Sequence, residues 1–191
     1  LKLLSLEEEI QKNVIGQDHI LKTLIGTLER GELELNIDSK RPHVKGSFLF
    51  LGPTGVGKTE LTLTFTSYLF GDDCMHRFDM SEFMHFDSVK QFVGDETGTC
   101  GRLGNVLENS THGTLLFDEM EKAHPLIMDL FLQILDAARI TLGNGKTYDL
   151  SNYYIVFTSN IGANRIPETG TVMSSTLERG IMAELYSKLR K

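Results

Sequence analysis

Gly52-Pro53-Thr54-Gly55-Val56-Gly57-Lys58-Thr59 places three glycines, a lysine and a hydroxyl at a spacing that suits a bound triphosphate. Gly52, Gly55 and Gly57 let the backbone wrap phosphate oxygens with its N–H groups. Lys58 would reach the β- and γ-phosphates, and the Thr59 hydroxyl would ligate Mg²⁺. A helix opening at Lys58 would add its positive N-terminal end. This P-loop reading implies ATP as the ligand. Some sixty residues on, Leu115-Leu116-Phe117-Asp118-Glu119 is an apolar run ending in two carboxylates. At the carboxyl end of a neighbouring strand, Asp118 can hold Mg²⁺, usually through water, while Glu119 can polarise an attacking water. Thr158-Ser159-Asn160 closes a later apolar run. The Asn160 amide there could orient the water or contact the γ-phosphate, or it could equally be a turn former or helix cap.

The flanking sequence supplies elements to hold these groups. Ser47–Leu51 reads as a buried strand running into the P-loop, and Lys58–Phe70 as the helix after it. A second apolar pulse ends at Phe78-Asp79, with a helix start near Ser81. Residues 94–101 read as a Gly-rich loop and 103–111 as a helix. Thr114–Asp118 is the next buried strand, and 124–138 a helix with Pro125 in its first turn, where the missing N–H costs nothing. Runs 139–142 and 146–150 flank Gly143-Asn144-Gly145, a hairpin signal. Tyr153–Thr158 is a further buried strand, 162–174 a loop and 175–190 a helix. Upstream, 5–13 and 17–35 read as helices, the second with an apolar stripe at Ile20, Leu21, Leu24, Ile25 and Leu28. Residues 36–46 read as a loop. Apolar strands alternating with helices predict an α/β fold with a mostly parallel sheet covered on both faces.

Composition narrows the classes. The 191 residues are enough for one large domain, 40% hydrophobic and 24% charged. No run is long enough for a membrane span, and no secretion signal is visible. A net charge of -7 argues against a surface built for the nucleic-acid backbone. Cys74 and Cys100 lie far apart with no CxxC pair, which fits reduced thiols in a cytoplasmic protein better than a disulfide. The scattered histidines carry no metal-ligand spacing. The opening in helix-like sequence without Met suggests a piece of something longer.

Taken together these segments resemble the Clp-type AAA+ ATPases (the ClpB/ClpA class), in their second ATPase module. Phe48–Leu61 is similar to the family's Walker A segment, Glu60 included. Leu116–Glu119 with Glu121-Lys122-Ala123-His124-Pro125 resembles Walker B and the helix start after it, and Thr158-Ser159-Asn160 resembles sensor 1. Val14-Ile15-Gly16-Gln17 is similar to the box beside the adenine, which implies nucleotide contacts from Val14 and Ile15. Asp79-Met80-Ser81-Glu82, Leu135-Asp136, Arg139 and the hairpin through Thr147 also match. The resemblance implies a RecA-like three-layer αβα sandwich, the large subdomain of such a module over residues 1–191. It further implies ATP and Mg²⁺ as ligands, a homo-oligomeric, hexameric ring and protein partners remodelled by hydrolysis. Glu119, Lys58 and Asn160 would be its catalytic set.

Two departures qualify that expectation. Gly98-Thr99-Cys100-Gly101 stands where the family carries an aromatic pore residue, and the following segment is shorter by about five residues. Thr99 therefore favours an alternative, a nucleotide-regulated scaffold that binds partners without threading them. A nucleic-acid-directed motor such as a helicase loader is less favoured by the acidic balance. The arginine finger and the small helical domain are expected beyond Lys191, since Arg165, Arg179 and Arg190 do not match that motif. The piece alone should then hydrolyse ATP weakly.

Overall fold

The computed structural model describes Ser5, Leu6, Glu8, Ile10 and residues 18–33, 42–53, 55–160 and 171–174. Val14, Ile15, Thr54, Arg165, Arg179, Arg190 and the expected helix 175–190 lie outside the described residues.

The sheet follows from which strands are apolar throughout. Strands β1 (Gly46–Leu51), β3 (Gly113–Asp118) and β6 (Tyr153–Ser159) are buried almost from end to end. Strands with no polar face must be covered on both sides, and these occupy the middle of a sheet ordered β2-β3-β6-β1-β7, with β2 spanning Met75–Asp79 and β7 Thr171–Ser174. β2, β3, β6 and β1 run parallel, and β7 pairs with β1 antiparallel. Successive side chains on a strand point to opposite faces, so each strand feeds two cores. Phe48, Phe50, Leu116, Tyr154 and Val156 pack on one face with Leu6, Ile10 and α1 (Asp18–Glu32), and with Leu61 and Phe65 of α2 (Lys58–Phe70). Leu49, Phe78, Leu115, Phe117, Ile155 and Phe157 pack on the other. There they meet α3 (Phe86–Val93), α4 (Gly101–Asn109) and α5 (Pro125–Ala137). Two cores on one sheet make the expected αβα sandwich of RecA-like type.

Three local readings need correction. The segment 162–174, read as a loop, contains β7. Its alternation Thr171-Val172-Met173-Ser174 is only four residues long and escapes a periodicity reading, but it covers the outer edge of β1, which would otherwise offer an unpaired ladder. The helix expected near Ser81 is a short 3₁₀ turn, Met80–Phe83, capped by Asp79, whose carboxylate accepts from the Ser81 N–H at 2.9 Å. The α-helix proper begins at Phe86. The loop expected through 101 gives way to α4 at Gly101 itself. The hairpin is present as β4 (Arg139–Thr141) and β5 (Thr147–Asp149), a separate two-stranded sheet.

Phe117 is the hub of the second core. Its ring centroid lies 4.6 Å from Phe131, 5.5 Å from Phe157, 5.6 Å from Phe78 and 6.3 Å from Phe92, with the side chain fully buried. Phe117→Ala should therefore lower stability by about 3–5 kcal/mol in chemical denaturation, since one cavity would open beneath both β3 and α5.

Candidate functional site

Register decides what meets at the carboxyl end of the sheet. Leu51 pairs with Ser159 and Asp79 with Asp118, while Phe117 stands level with Phe157. The four parallel strands therefore finish together, and the residues just past their ends are forced into one crevice. Into it run the P-loop after β1, Asp118-Glu119 after β3 and Asn160 after β6.

The P-loop is tied to β6 by the Gly52 N–H, which donates to the Ser159 carbonyl at 3.2 Å. Gly57 ends it as the N-cap of α2, at φ 89°, a left-handed conformation that glycine adopts freely and a side chain would resist. No side chain caps α2, so its first-turn N–H groups face the loop. Threonines then fasten the helix. Thr62 Oγ1 donates to the Lys58 carbonyl at 3.0 Å, and Thr66 Oγ1 lies 2.8 Å from Thr114 Oγ1 on β3.

Lys58 carries three ammonium protons and has three partners. Its Nζ donates to the carbonyls of Gly52 (2.7 Å) and Pro53 (2.9 Å) and to Asn160 Oδ1 (3.1 Å). Burial pushes its pKa below the ordinary lysine value, while the negative charges of Asp118, Glu121 and Glu119 oppose that shift. The Asn160 amide reaches in the other direction as well, its Nδ2 donating to Glu119 Oε1 at 3.0 Å. One side chain thus joins the P-loop lysine to the carboxylate expected to act on water. Lys122 holds the other oxygen of Glu119 at 2.5 Å, and this carboxylate raises the Lys122 pKa.

Asp118 is buried and has donors on both oxygens. Thr158 Oγ1 donates to Oδ1, and the Arg77 guanidinium donates to Oδ2 at 2.5 Å. Thr158 Oγ1 also accepts the Glu119 N–H at 3.0 Å. That contact holds Glu119 in a left-handed backbone conformation, φ 54° and ψ 49°, which turns the chain sharply out of β3. Among the described residues no group of three or more His, Cys, Asp or Glu side chains forms a metal cage. A single buried carboxylate suits Mg²⁺, which keeps waters and takes its remaining oxygens from a nucleotide.

The structure therefore brings together Lys58, Asp118, Glu119 and Asn160 around Gly52 and Pro53, with Gly55, Val56, Gly57, Thr59 and Glu60 on the adjoining loop and first helical turn. Sequence reasoning missed Arg77, Lys122 and Glu121, and gave no separate role to the Thr158 hydroxyl. Arg77 stands on β2 beside Leu116, on the face that Asp118 shares, and only the β2–β3 register shows this.

The loop that carries Thr99 is compact. The Asp95 N–H donates to the Thr99 carbonyl (3.1 Å), the Gly98 N–H returns to the Asp95 carbonyl (3.2 Å), and Asp95 Oδ1 accepts from the Thr97 N–H (3.0 Å) and hydroxyl. A Cβ on Gly94 would lie 1.9 Å from the Thr99 carbonyl oxygen, so the closure requires glycine. Behind it, the Gly143 N–H of the hairpin turn donates to the Val93 carbonyl at 3.0 Å.

Comparison with known proteins places this arrangement. Residues 43–191, well over half of the chain, match the model of the AAA domain (Cdc48 subfamily). The chain belongs to the AAA domain family. Chaperone protein ClpB of Aquifex aeolicus is 45% identical over 168 residues, covering 85% of this chain and 16% of that protein. ClpB of Vibrio cholerae is 43% identical over 173 residues, covering 87% and 20%. ClpB 1 of Parasynechococcus marenigrum is 40% identical over 195 aligned residues, covering 96% and 22%. The AAA domain described here thus spans about a fifth of the length of these relatives, and its resemblance to the Clp type holds over nearly all of it. No helix among the described residues is long and apolar enough to cross a membrane.

The Thr158 hydroxyl gives a direct test of this geometry. Thr158→Val keeps the shape but removes the donor to Asp118 and the acceptor for the Glu119 N–H. The AAA domain should lose about 1–3 kcal/mol in urea unfolding, because two buried polar groups lose a partner at once.

Proposed function

We propose that this chain is the ATP-binding and ATP-hydrolysing module of a Clp-type ring ATPase that remodels protein partners. The observation that carries the reading is the Asn160 side chain bonded to Lys58 on one side and Glu119 on the other. A single amide there is placed to register a γ-phosphate at the lysine and to orient the carboxylate that acts on water. In this reading the P-loop backbone and Lys58 hold the β- and γ-phosphates. Thr59 and Asp118 hold Mg²⁺, and Val14 and Ile15 border the adenine. Bound Mg²⁺ would neutralise phosphate charge as it develops. Glu119 takes the proton of the attacking water, and Asn160 and Lys122 keep its carboxylate aimed. Burial lowers the Lys58 pKa, and the three carboxylates that face it oppose that shift and favour its charged form.

The ClpB relatives are named chaperones, which supports protein substrates for this chain, and in this reading the parent is a ring, a hexamer, in which ATP is bound between subunits. Residues 1–191 would be the large subdomain, with the arginine finger and small helical domain contributed from outside it. Hydrolysis by the piece alone would then be weak, and the setting cytoplasmic. Two variants test the assignment. Lys58→Ala should abolish binding of a fluorescent ATP analogue. Glu119→Gln should keep that binding and reduce phosphate release by at least ~100-fold. Loss of binding in Glu119→Gln, or none in Lys58→Ala, would sink it.

A second reading is favoured by the closed turn at 94–101. A loop that grips a threaded polypeptide needs an exposed aromatic on a projecting backbone. Thr99 is exposed but offers no ring, and its carbonyl is held back in a closed turn by the Asp95 N–H. A module of this kind would use ATP to bind and release a protein partner without pulling on it. Unfolding of a tagged substrate by the intact ring separates the two readings: strong pulling with Thr99 in place rejects the non-threading one, and pulling gained only by Thr99→Tyr supports it.

A further inference from the structure

Strand β6 ends its ladder at Ser159, and Asn160 is the first residue beyond it. The Asn160 N–H has no strand to pair with, and it donates to Glu121 Oε1 at 3.1 Å. Glu121 lies in the 3₁₀ turn Met120–Lys122, two residues after Glu119, so one carboxylate ties the end of β6 to the turn after β3. The same Asn160 bonds Lys58 and Glu119 through its side chain, and the Glu121 contact therefore sets the origin of both bonds. The second oxygen of Glu121 is buried without a hydrogen-bond partner. A buried, unpaired carboxylate oxygen is costly, while the tie to the Asn160 N–H needs only an acceptor oxygen at this reach. What this position has besides the tie is reach. The carboxylate spans the gap between two turns and fixes the Asn160 backbone where its amide can serve both partners.

We propose that Glu121 is a positioning residue of the hydrolytic site: through the Asn160 backbone it sets the spacing between Lys58 and Glu119. This rests on the nucleotide-site reading above. Removing the tie leaves the P-loop intact, so nucleotide binding is spared while the geometry around the attacking water loosens.

Three substitutions at Glu121 in the intact protein test it, with ATP turnover and binding of a fluorescent ADP analogue both measured. Glu121→Gln keeps the reach and an acceptor oxygen, and should stay within about threefold of wild-type turnover. Glu121→Asp keeps the charge but is one methylene short, and should lose about 10–100-fold in kcat with ADP affinity changed less than threefold. Glu121→Ala should match the Asp variant, and Ala combined with Asn160→Ala should be no worse than Asn160→Ala alone. The opposite order, Asp active and Gln impaired, would overturn the proposal, as would additivity with Asn160→Ala or a loss confined to affinity. If the Ala protein does not fold, the Gln–Asp pair carries the test. Wild-type protein that neither binds nor hydrolyses ATP would instead reject the nucleotide-site reading.

Discussion

Parallel register is the constraint on which the rest depends. β3, β6 and β1 are buried on both faces, so a slip of one residue would turn every phenylalanine in them into the wrong core. With register locked by two sets of aromatic and aliphatic side chains, the strand ends cannot move separately. The polar groups past those ends inherit that rigidity. Asp118 meets Thr158 because Phe117 is level with Phe157, and Asn160 meets the P-loop because Leu51 is level with Ser159. Precision at the crevice is thus set by apolar packing several residues away.

Much of this was legible in the chain, and the reason is physical. Apolar runs without polar alternation mark central parallel strands, and glycines with lysine and threonine at fixed spacing mark a phosphate-binding turn. Asp118, Glu119 and Asn160 lie within the first three polar residues after such runs, so their placement follows once the sheet is assumed. Other parts depend on pairing that no local pattern reports. Arg77 reaches Asp118 only through the β2–β3 register, and Glu121 reaches Asn160 only because Glu119 adopts a left-handed conformation that redirects the chain. β7 is four residues long with no strong apolar signal, and an edge strand is defined by its neighbour. The Asp79 cap shows the same limit. Its carboxylate stabilises a 3₁₀ turn where the sequence suggested the start of a full helix.

The two faces of the sheet carry different kinds of work. On the α1–α2 side Tyr154 ties sheet to helix, its buried hydroxyl donating to the Leu28 carbonyl (3.1 Å) and meeting Glu32 (3.0 Å), and burial with the Glu32 charge raises its pKa. That face anchors the P-loop helix. On the other, the Phe117 cluster supports α4, α5 and the hairpin, with the 94–101 turn docked against it.

If the crevice binds nucleotide as proposed, the triple bonding of Lys58 would also make it selective by threshold. An anion that offers the ammonium a single acceptor merely exchanges one bond for another and gains little, since the Gly52 and Pro53 carbonyls and the Asn160 amide already satisfy it. A chain of phosphates offers several charged acceptors and the backbone donors of the loop at the same time. Small anions would then compete poorly. On the nucleotide-site reading, occupancy would respond to polyphosphate length rather than to negative charge alone.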